Sequence, residues 1–312
     1  MLTIQRILFP VDVTDTSTKA FPLACALAHR HGATLHLLSV TGRHEHGYTD
    51  ARQSFPIPDT QLQAWLESEG AGPVPSLDML SIVQTQMEAS SVATQITTFI
   101  GDNAIDLVVM GTHGRHGVER MLHGSVAETV IRAGRCPVIT VRTDKQAPSD
   151  LRQVLAPIDF SDASADALRH AGELAQTFDA SVHLLHVVED VAYPAVYGLE
   201  SPTLPLDGVI PRVTRELETW AVRYVPDDVP TTVHAVEGYA PLAIVEAATK
   251  HDADAIVMST HGRTGLDHML LGSVAERVVR QASQPVLVIA STGRSLYSSD
   301  AASDGDAAVS PS

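Results

Sequence analysis

The feature that most constrains the fold of this 312-residue chain is an internal repeat. Residues 111–130 read GTHGRHGVERMLHGSVAETV and residues 259–278 read STHGRTGLDHMLLGSVAERV, so that 13 of 20 aligned positions are identical. The repeat continues upstream, where residues 7–40 correspond to residues 154–187. A chain of this length can bury two cores, so the repeat predicts two tandem domains of the same fold.

Each copy alternates short apolar strands, such as ILFPV, DLVVM and PVITV, with helical segments. The first helix of each copy is predicted to be capped by Thr or Ser, with Asp nearby. Strands that alternate with helices indicate a parallel sheet that is buried on both faces. The predicted fold class is therefore α/β, with two tandem doubly wound domains that each contain a five-stranded parallel sheet.

We place the first domain at residues 1–143 and the second at residues 151–292. Residues 144–150 are polar and include a proline, which predicts a linker. The small, acidic residues 293–312 are predicted to form a disordered tail. The apolar last strands, PVITVR and PVLVIA, are expected to pair within the chain around a pseudo-twofold axis, because open sheet edges promote aggregation. A homodimer of the whole chain is a further expectation, for which no individual residue argues.

Composition restricts the classes of partner and the cellular location. The formal charge is −16 and the chain has only three lysines, whereas nucleic acids and anionic membranes bind basic patches. Neither is therefore an expected partner. The first residues, MLTIQRILFPVDV, are typical of a strand rather than a secretory signal, which favours the cytoplasm. Cys25 and Cys136 fit neither a disulfide framework nor a metal knuckle, and both are predicted to be inert thiols.

The repeated glycine segment lies where a ligand is expected. In a doubly wound sheet, ligands bind beyond the carboxyl ends of the strands, where the strand order reverses. Gly111, Gly114 and Gly117 follow the strand DLVVM and are expected to allow positive φ and close approach to a ligand. Gly124 and Ser125 then begin a helix whose N–H groups attract phosphate. The pattern predicts an anion site, with adenine or a similar base over the strand ends.

A structural explanation competes for part of this motif. Ser125 with Glu128, and Ser273 with Glu276, have the spacing of capping boxes, which helices use whether or not a ligand binds. For these Ser and Glu residues alone, capping is the favoured interpretation. The glycines upstream of the cap are better explained by ligand binding.

On these motifs, the chain resembles the universal stress protein family in the form with two fused domains, an adenine nucleotide alpha hydrolase-like fold. The family motif is Gly, two residues, Gly, nine residues, Gly, then Ser or Thr, and it is complete in the first half. The resemblance implies a stress-response sensor or regulator that binds ATP, ADP or AMP, with Mg accompanying the nucleotide. It also implies an aspartate near the adenine or ribose and a valine that lines the base. The implied nucleotide-binding residues are Pro10, Asp12, Val40, Met110, Gly111, Gly114, Arg115, Gly124, Ser125 and Val126, and in the second half Pro157, Asp159, Val187, Met258, Gly262, Arg263, Gly272, Ser273 and Val274.

The two halves depart from the motif at different positions. Ser259 replaces the first glycine in the second half, and a serine held in the left-handed conformation costs about 1 kcal/mol. The first half is therefore expected to bind nucleotide more tightly. Gly238 and Pro241, which stand where the first half has Ser90 and Ala93, favour the second half instead.

Two other classes of function stay open. One is a slow ATP-hydrolysing enzyme, although the chain has no P-loop and we assign no catalytic residue. His113 and His261 lie inside the motif, but a structural hydrogen bond explains each better than catalysis. The other class is a structural pairing module that needs no nucleotide. No metal site is predicted, because His44 and His46, like the trio His113, His116 and His123, lack the spacing of a known site.

Overall fold

The computed structural model of the chain describes residues 2–11, 18–42, 55–68, 72–112, 125–142, 146–189, 208–260, 271–290 and 296. The strands are β1 (Arg6–Val11), β2 (Thr34–Gly42), β3 (Ser81–Ala89), β4 (Leu107–Gly111), β5 (Val138–Val141), β6 (Gln153–Pro157), β7 (Ser181–Val188), β8 (Thr231–Glu237), β9 (Ala255–Ser259) and β10 (Val286–Ile289). The α-helices are α1 (Phe21–His31), α2 (Asp59–Leu66), α3 (Val92–Asp102), α4 (Ser125–Ala133), α5 (Asp162–Phe178), α6 (Val209–Tyr224), α7 (Ala240–Lys250) and α8 (Ser273–Gln281). None of these helices is long and apolar enough to span a bilayer.

The strands form one continuous sheet in the order β3-β2-β1-β4-β5-β10-β9-β6-β7-β8. Within each half all neighbouring strands are parallel, which confirms the predicted doubly wound α/β class. The two halves meet where β5 and β10 pair antiparallel, with Leu287 opposite Ile139 and Val288 opposite Val138. The separate sheets of the two domains are thereby joined into a single sheet of ten strands.

Helices cover both faces of this sheet, and each face has its own apolar core. One face, which we call the α1 face, is covered by α1, α2, α5 and α6. The opposite face, the α3 face, is covered by α3, α4, α7 and α8. Each core contains residues from both halves. Strands β5 and β10 are buried at every position because they lie in the middle of the sheet with helices on both sides.

The connection between the halves is packed against the protein rather than free. The Ala147 N–H donates to the carbonyl oxygen of Lys19 (3.0 Å), and the Ser149 hydroxyl donates to that of Pro73 (2.7 Å). Asp150 accepts from the Arg30 guanidinium at 3.0 Å. The described part of the predicted linker is therefore ordered against the first half.

Leu296 is the one residue of the predicted disordered tail that the structure describes. Its side chain is buried. Its carbonyl oxygen accepts from the Thr3 N–H (2.8 Å), and its own N–H donates to Nε2 of His170 (3.4 Å). This residue thus bridges the start of the first half and α5 of the second. Burial of its apolar side chain lowers the free energy relative to exposure to water.

The predicted helix cap is present in the second half. Ser161 caps α5 and its hydroxyl accepts from the Ser164 N–H at 3.2 Å. In the first half, α1 begins after Ala20, without a side-chain cap, and has a proline in its first turn. The candidate caps of the first half, Thr14, Thr16 and Ser17, lie outside the described residues.

Candidate functional site

The strand order reverses between β1 and β4 in the first half, and between β6 and β9 in the second. At each of these points, the connections that follow the two neighbouring strands run in opposite directions along the sheet. This divergence opens a crevice at the carboxyl ends of the two strands. Five sequence-predicted residues lie at these ends: Pro10 in β1, Met110 and Gly111 in β4, Pro157 in β6 and Met258 in β9.

The apolar candidates of each half come together on the α3 face. Met110 belongs to the core of that face, and Val40 and Val126 pack against it while remaining partly exposed. Pro10 points to the same side, because it lies two residues after Leu8, a member of that core. These side chains form a half-exposed apolar wall beside the crevice.

The second half repeats the wall with the matching residues. Met258 belongs to the same core, and Val187 and Val274 pack against it while partly exposed. Pro157 lies two residues after Leu155 and so points to this face as well. A flat apolar surface of this kind is what the ring of a purine base would cover.

A carboxylate is held at the end of β6. Asp159 Oδ1 accepts from the Ser161 N–H (3.1 Å) and from the Ser161 hydroxyl (2.6 Å). Because Ser161 also caps α5, the carboxylate is tied to the first turn of that helix. The equivalent Asp12 lies outside the described residues.

The loop that carries Asp159 is braced by aromatic contacts that sequence analysis did not predict. Phe160 has φ of 63°, a left-handed conformation that is uncommon for a residue with a bulky side chain. Its ring lies 4.6 Å from the His186 ring and 5.2 Å from the Trp220 ring, centroid to centroid. His186 in turn donates from Nδ1 to the carbonyl oxygen of Ile158 at 2.8 Å. Packing therefore holds a strained backbone beside the crevice, as at many ligand sites.

The first position of the glycine motif differs from the expectation of positive φ. Gly111 lies within β4 opposite Val141, and Ser259 lies within β9 opposite Ile289. Neither is among the described residues with positive φ. The strain expected for Ser259 is therefore absent, because strand pairing continues through it and keeps its backbone extended. Any difference between the halves at this position must come from the serine side chain itself.

The capping-box interpretation is wrong for the second half. Helix α8 has Gly272 as its N-cap and makes no side-chain cap hydrogen bond, so that Ser273 is already inside the helix. Glu276 pairs forward with Arg280 at 2.8 Å instead of reaching back. In the first half Glu128 likewise pairs with Arg132 at 2.6 Å. The start of α8 thus presents backbone N–H groups at the carboxyl edge of the sheet, where the macrodipole favours an anion.

The remaining candidates cannot be placed. Asp12, Gly114, Arg115, Gly124, Gly262 and Arg263 lie outside the described residues, as do the histidines of the motif segments. Ser125 begins α4 at the expected position.

Sequence analysis missed a cluster of three histidines, His183, His234 and His251, which lies in the second half away from the crevice. They are 51 and 17 residues apart, and no local spacing pattern connects them. A signal was available only in the strand positions of His183 and His234, where a histidine precedes apolar residues on the same strand face.

Comparison with known proteins gives two matches to one family model. The Universal stress protein family matches residues 3–142 and again residues 151–290. A universal stress protein of Methanocaldococcus jannaschii is 40% identical over 147 residues, which is 44% of this chain and 81% of that protein. Another, from Mycolicibacterium smegmatis, is 34% identical over 210 residues, or 66% of this chain and 68% of that protein.

Solved structures with the same architecture include a universal stress protein from Archaeoglobus fulgidus. It has a TM-score of 0.62 and 19% identity, and the match covers 91% of this chain and 98% of that one. At this identity the likeness concerns the fold alone. These matches confirm the resemblance and the tandem arrangement inferred from the sequence.

Proposed function

The chain belongs to the universal stress protein family, and from that premise we propose that it binds an adenine nucleotide at the carboxyl edge of its sheet. The observation that carries the proposal is the pairing, in one crevice, of a half-exposed apolar wall with a helix start that lacks a side-chain cap. A purine ring and a polyphosphate need these two surfaces side by side.

The residues divide by role. The base would lie against Met258, Val187 and Val274 in the second half, and against Met110, Val40 and Val126 in the first. Asp159 would accept a hydrogen bond from a ribose hydroxyl or from the adenine amino group. The phosphates would meet the N–H groups at the start of α8, and at the start of α4 in the first half.

Further parts of the proposal concern the ion, the arginines and the glycine segments. A Mg ion would accompany the nucleotide through its phosphates, and we assign no protein ligand to it. Arg115 and Arg263 are proposed to contribute charge to the phosphates. Gly114, Gly124 and Gly262 are proposed to allow the loops to approach them.

We propose that the bound nucleotide controls conformation or partner contacts, which makes the protein a sensor or regulator of the stress response. The antiparallel pairing of β5 with β10 would couple the two sites, since both sit on one sheet. Association of whole chains into a homodimer and a cytoplasmic location remain parts of this proposal.

The test is to purify the full chain and identify the small molecules that it releases on denaturation by mass spectrometry. Calorimetric titration of the stripped protein with ATP, ADP and AMP then ranks the ligands. The expected result is retained or rebound adenine nucleotide with a thermal shift; a site at 100 times its Kd adds about 2.7 kcal/mol. Protein that purifies empty and shows neither heat nor shift would support the structural pairing module.

A time course of bound ATP distinguishes an ATP-hydrolysing enzyme from a sensor. Bound ATP is followed for hours in the presence of Mg, and the nucleotide recovered is compared with the nucleotide added. A sensor returns ATP unchanged, whereas an ATP-hydrolysing enzyme accumulates ADP at a rate that depends on protein concentration.

A further inference from the structure

Three imidazole rings converge at the outer edge of the second half. His183 is the third residue of β7, His234 lies in the edge strand β8, and His251 is the C-cap of α7. One ring nitrogen from each lies within 4.8 Å of the others. Nδ1 of His183 is 3.0 Å from Nε2 of His234, and the ring centroids of His234 and His251 are 4.1 Å apart. All three side chains are half-buried.

Two of these rings lie on strands whose same-face residues toward the carboxyl end are apolar. His183 and His234 point to the α3 face, as do Leu185, Val187 and Val236 on the same strands. A hydrogen bond between imidazoles joins only two rings, and a third ring stacked on them adds a buried polar group rather than a partner. A shared ligand for all three nitrogens would satisfy them together.

One ring is oriented as metal-bound histidines are. Nε2 of His183 donates to Oε1 of Gln153 at 2.8 Å, and the same oxygen accepts from the Ser181 hydroxyl at 2.5 Å. Because an amide oxygen can only accept, the proton of His183 resides on Nε2. Nδ1 therefore directs a lone pair toward His234. Ligand histidines in metal sites are held in this way by a hydrogen bond to the second ring nitrogen.

We propose that His183, His234 and His251 bind a divalent transition metal ion, with Zn²⁺ as the expected ion. Three imidazoles with a fourth position for water or another ligand are a ligand set that suits zinc. Bonds of about 2.0–2.1 Å in tetrahedral geometry require ligand nitrogens roughly 3.3 Å apart. The three nitrogens, which lie within 4.8 Å of one another, would draw closer on binding, and the stacked rings would turn toward the ion.

The site would link three elements at the sheet edge. It joins β8, which has a neighbour on one side only, to β7 and to the end of α7. His183 and Val187 are four residues apart along β7, or about 13 Å, so the metal site is separate from the proposed nucleotide crevice. It neither depends on that crevice nor shares a side chain with it.

The first half provides an internal control. His36 stands opposite Leu8 as His183 stands opposite Leu155, but Thr85 occupies the place of His234, since Thr85 faces Leu38 as His234 faces Leu185. The C-cap residue of α3 is Asn103 rather than a histidine. The first half therefore has one imidazole where the second has three.

The experiment is calorimetric titration of the chelator-treated full chain with ZnCl₂, compared with the variants His234→Gln, His251→Gln and His36→Gln. We expect the first two variants to bind one Zn²⁺ fewer per chain than the unaltered protein, and His36→Gln to bind the same number. Gln153→Leu should keep the ion but bind it about 10–100-fold more weakly, because it loosens His183. Equal stoichiometry and affinity in all variants would overturn the proposal.

A second measurement does not depend on the variants folding. Co²⁺ is added to the unaltered protein in place of Zn²⁺, and its visible absorption is recorded. Strong ligand-field bands of a four- or five-coordinate ion, removed by one equivalent of Zn²⁺, are expected. A weak spectrum of a six-coordinate ion at one equivalent would refute a three-histidine site.

Discussion

Replacing Gly272 by valine tests the proposed phosphate site with little expected damage to the fold. The N-cap Gly272 has φ of −58° and ψ of 146°, a conformation that valine adopts without strain. The helix loses only the preference of an N-cap for glycine over valine, about 0.5–1 kcal/mol. The added branched side chain, however, stands at the helix start where the phosphates would approach the backbone.

The expected loss of affinity follows from the hydrogen bonds displaced. A bond from a backbone N–H to a charged group contributes about 1.5–3 kcal/mol. Loss of one such bond corresponds to roughly 10- to 150-fold weaker binding, at about 1.4 kcal/mol per factor of ten. The second site should therefore bind ATP more weakly by that factor, while the affinity of the first site is unchanged.

The assay is calorimetric titration of ATP into the full chain, with urea unfolding as the check on stability. The unaltered chain should bind two nucleotides, with the first half tighter as the complete motif predicts, and Gly272→Val should retain the tighter one. Gly208→Val is the matched control, because Gly208 is also an N-cap glycine and an added Cβ there meets nothing within 4 Å. Unchanged binding by Gly272→Val would refute the phosphate site; loss of the tighter ATP would show that the second half is the principal one.

Three further predictions concern stability. Asp106 is buried, and its Oδ2 accepts from the N–H groups of Gln5 and Arg6, at 2.9 Å each. Asp254, which is more exposed, accepts in the same way from the N–H groups of Arg152 and Gln153. By urea unfolding, Asp106→Ala should lower the free energy of unfolding by about 2–5 kcal/mol, and Asp254→Ala should lower it less because Asp254 is more exposed. The opposite ranking would show that burial does not set the strength of these hydrogen bonds. Leu287→Ala, in the strand that joins the halves, should lower the free energy of unfolding by about 2–5 kcal/mol. The unfolding transitions reported by the fluorescence of the single tryptophan in each half should shift together. A shift in one half alone would show that the pairing of β5 with β10 does not couple the unfolding of the halves. In metal-free protein, the pKa of His234 is lowered to about 4, so the unfolded state binds a proton at this residue at higher pH than the folded state does. The neutral His234 therefore contributes its full stability above the unfolded pKa of about 6.5, and that stability is lost as pH falls toward 4. His234→Gln should flatten that part of the stability curve, and an unchanged slope between pH 6.5 and 4 would argue against the assignment.

The internal repeat and the alternation of strand and helix were sufficient to predict the fold. Strands such as LVVM, residues 107–110, and PVITV are almost entirely apolar, which happens only when both faces are covered. That property is local and can be read from the residues alone. The same holds for the position of the crevice, because the carboxyl end of β4 and the start of α4 follow directly from the order of elements in the chain.

Details of the site depended on interactions that the motif does not specify. Ser259 was expected to adopt a strained conformation, yet pairing with Ile289 extends its strand by one residue. Glu276 was expected to cap its helix, yet Arg280 one turn later attracts its carboxylate. In both cases a local rule was overruled by a competing interaction of similar or greater strength.

The sequence alone determined the α/β class, the tandem repeat and the strand ends at which a ligand is expected, because these depend on periodicity and on the order of elements. The tertiary structure decided how β5 meets β10, how Leu296 is buried, and that His183, His234 and His251 share one point in space. Those three histidines come from two strands and a helix end whose separation along the chain carries no information about their distance. Only the pairing of β7 with β8 and the packing of α7 over them bring the rings together.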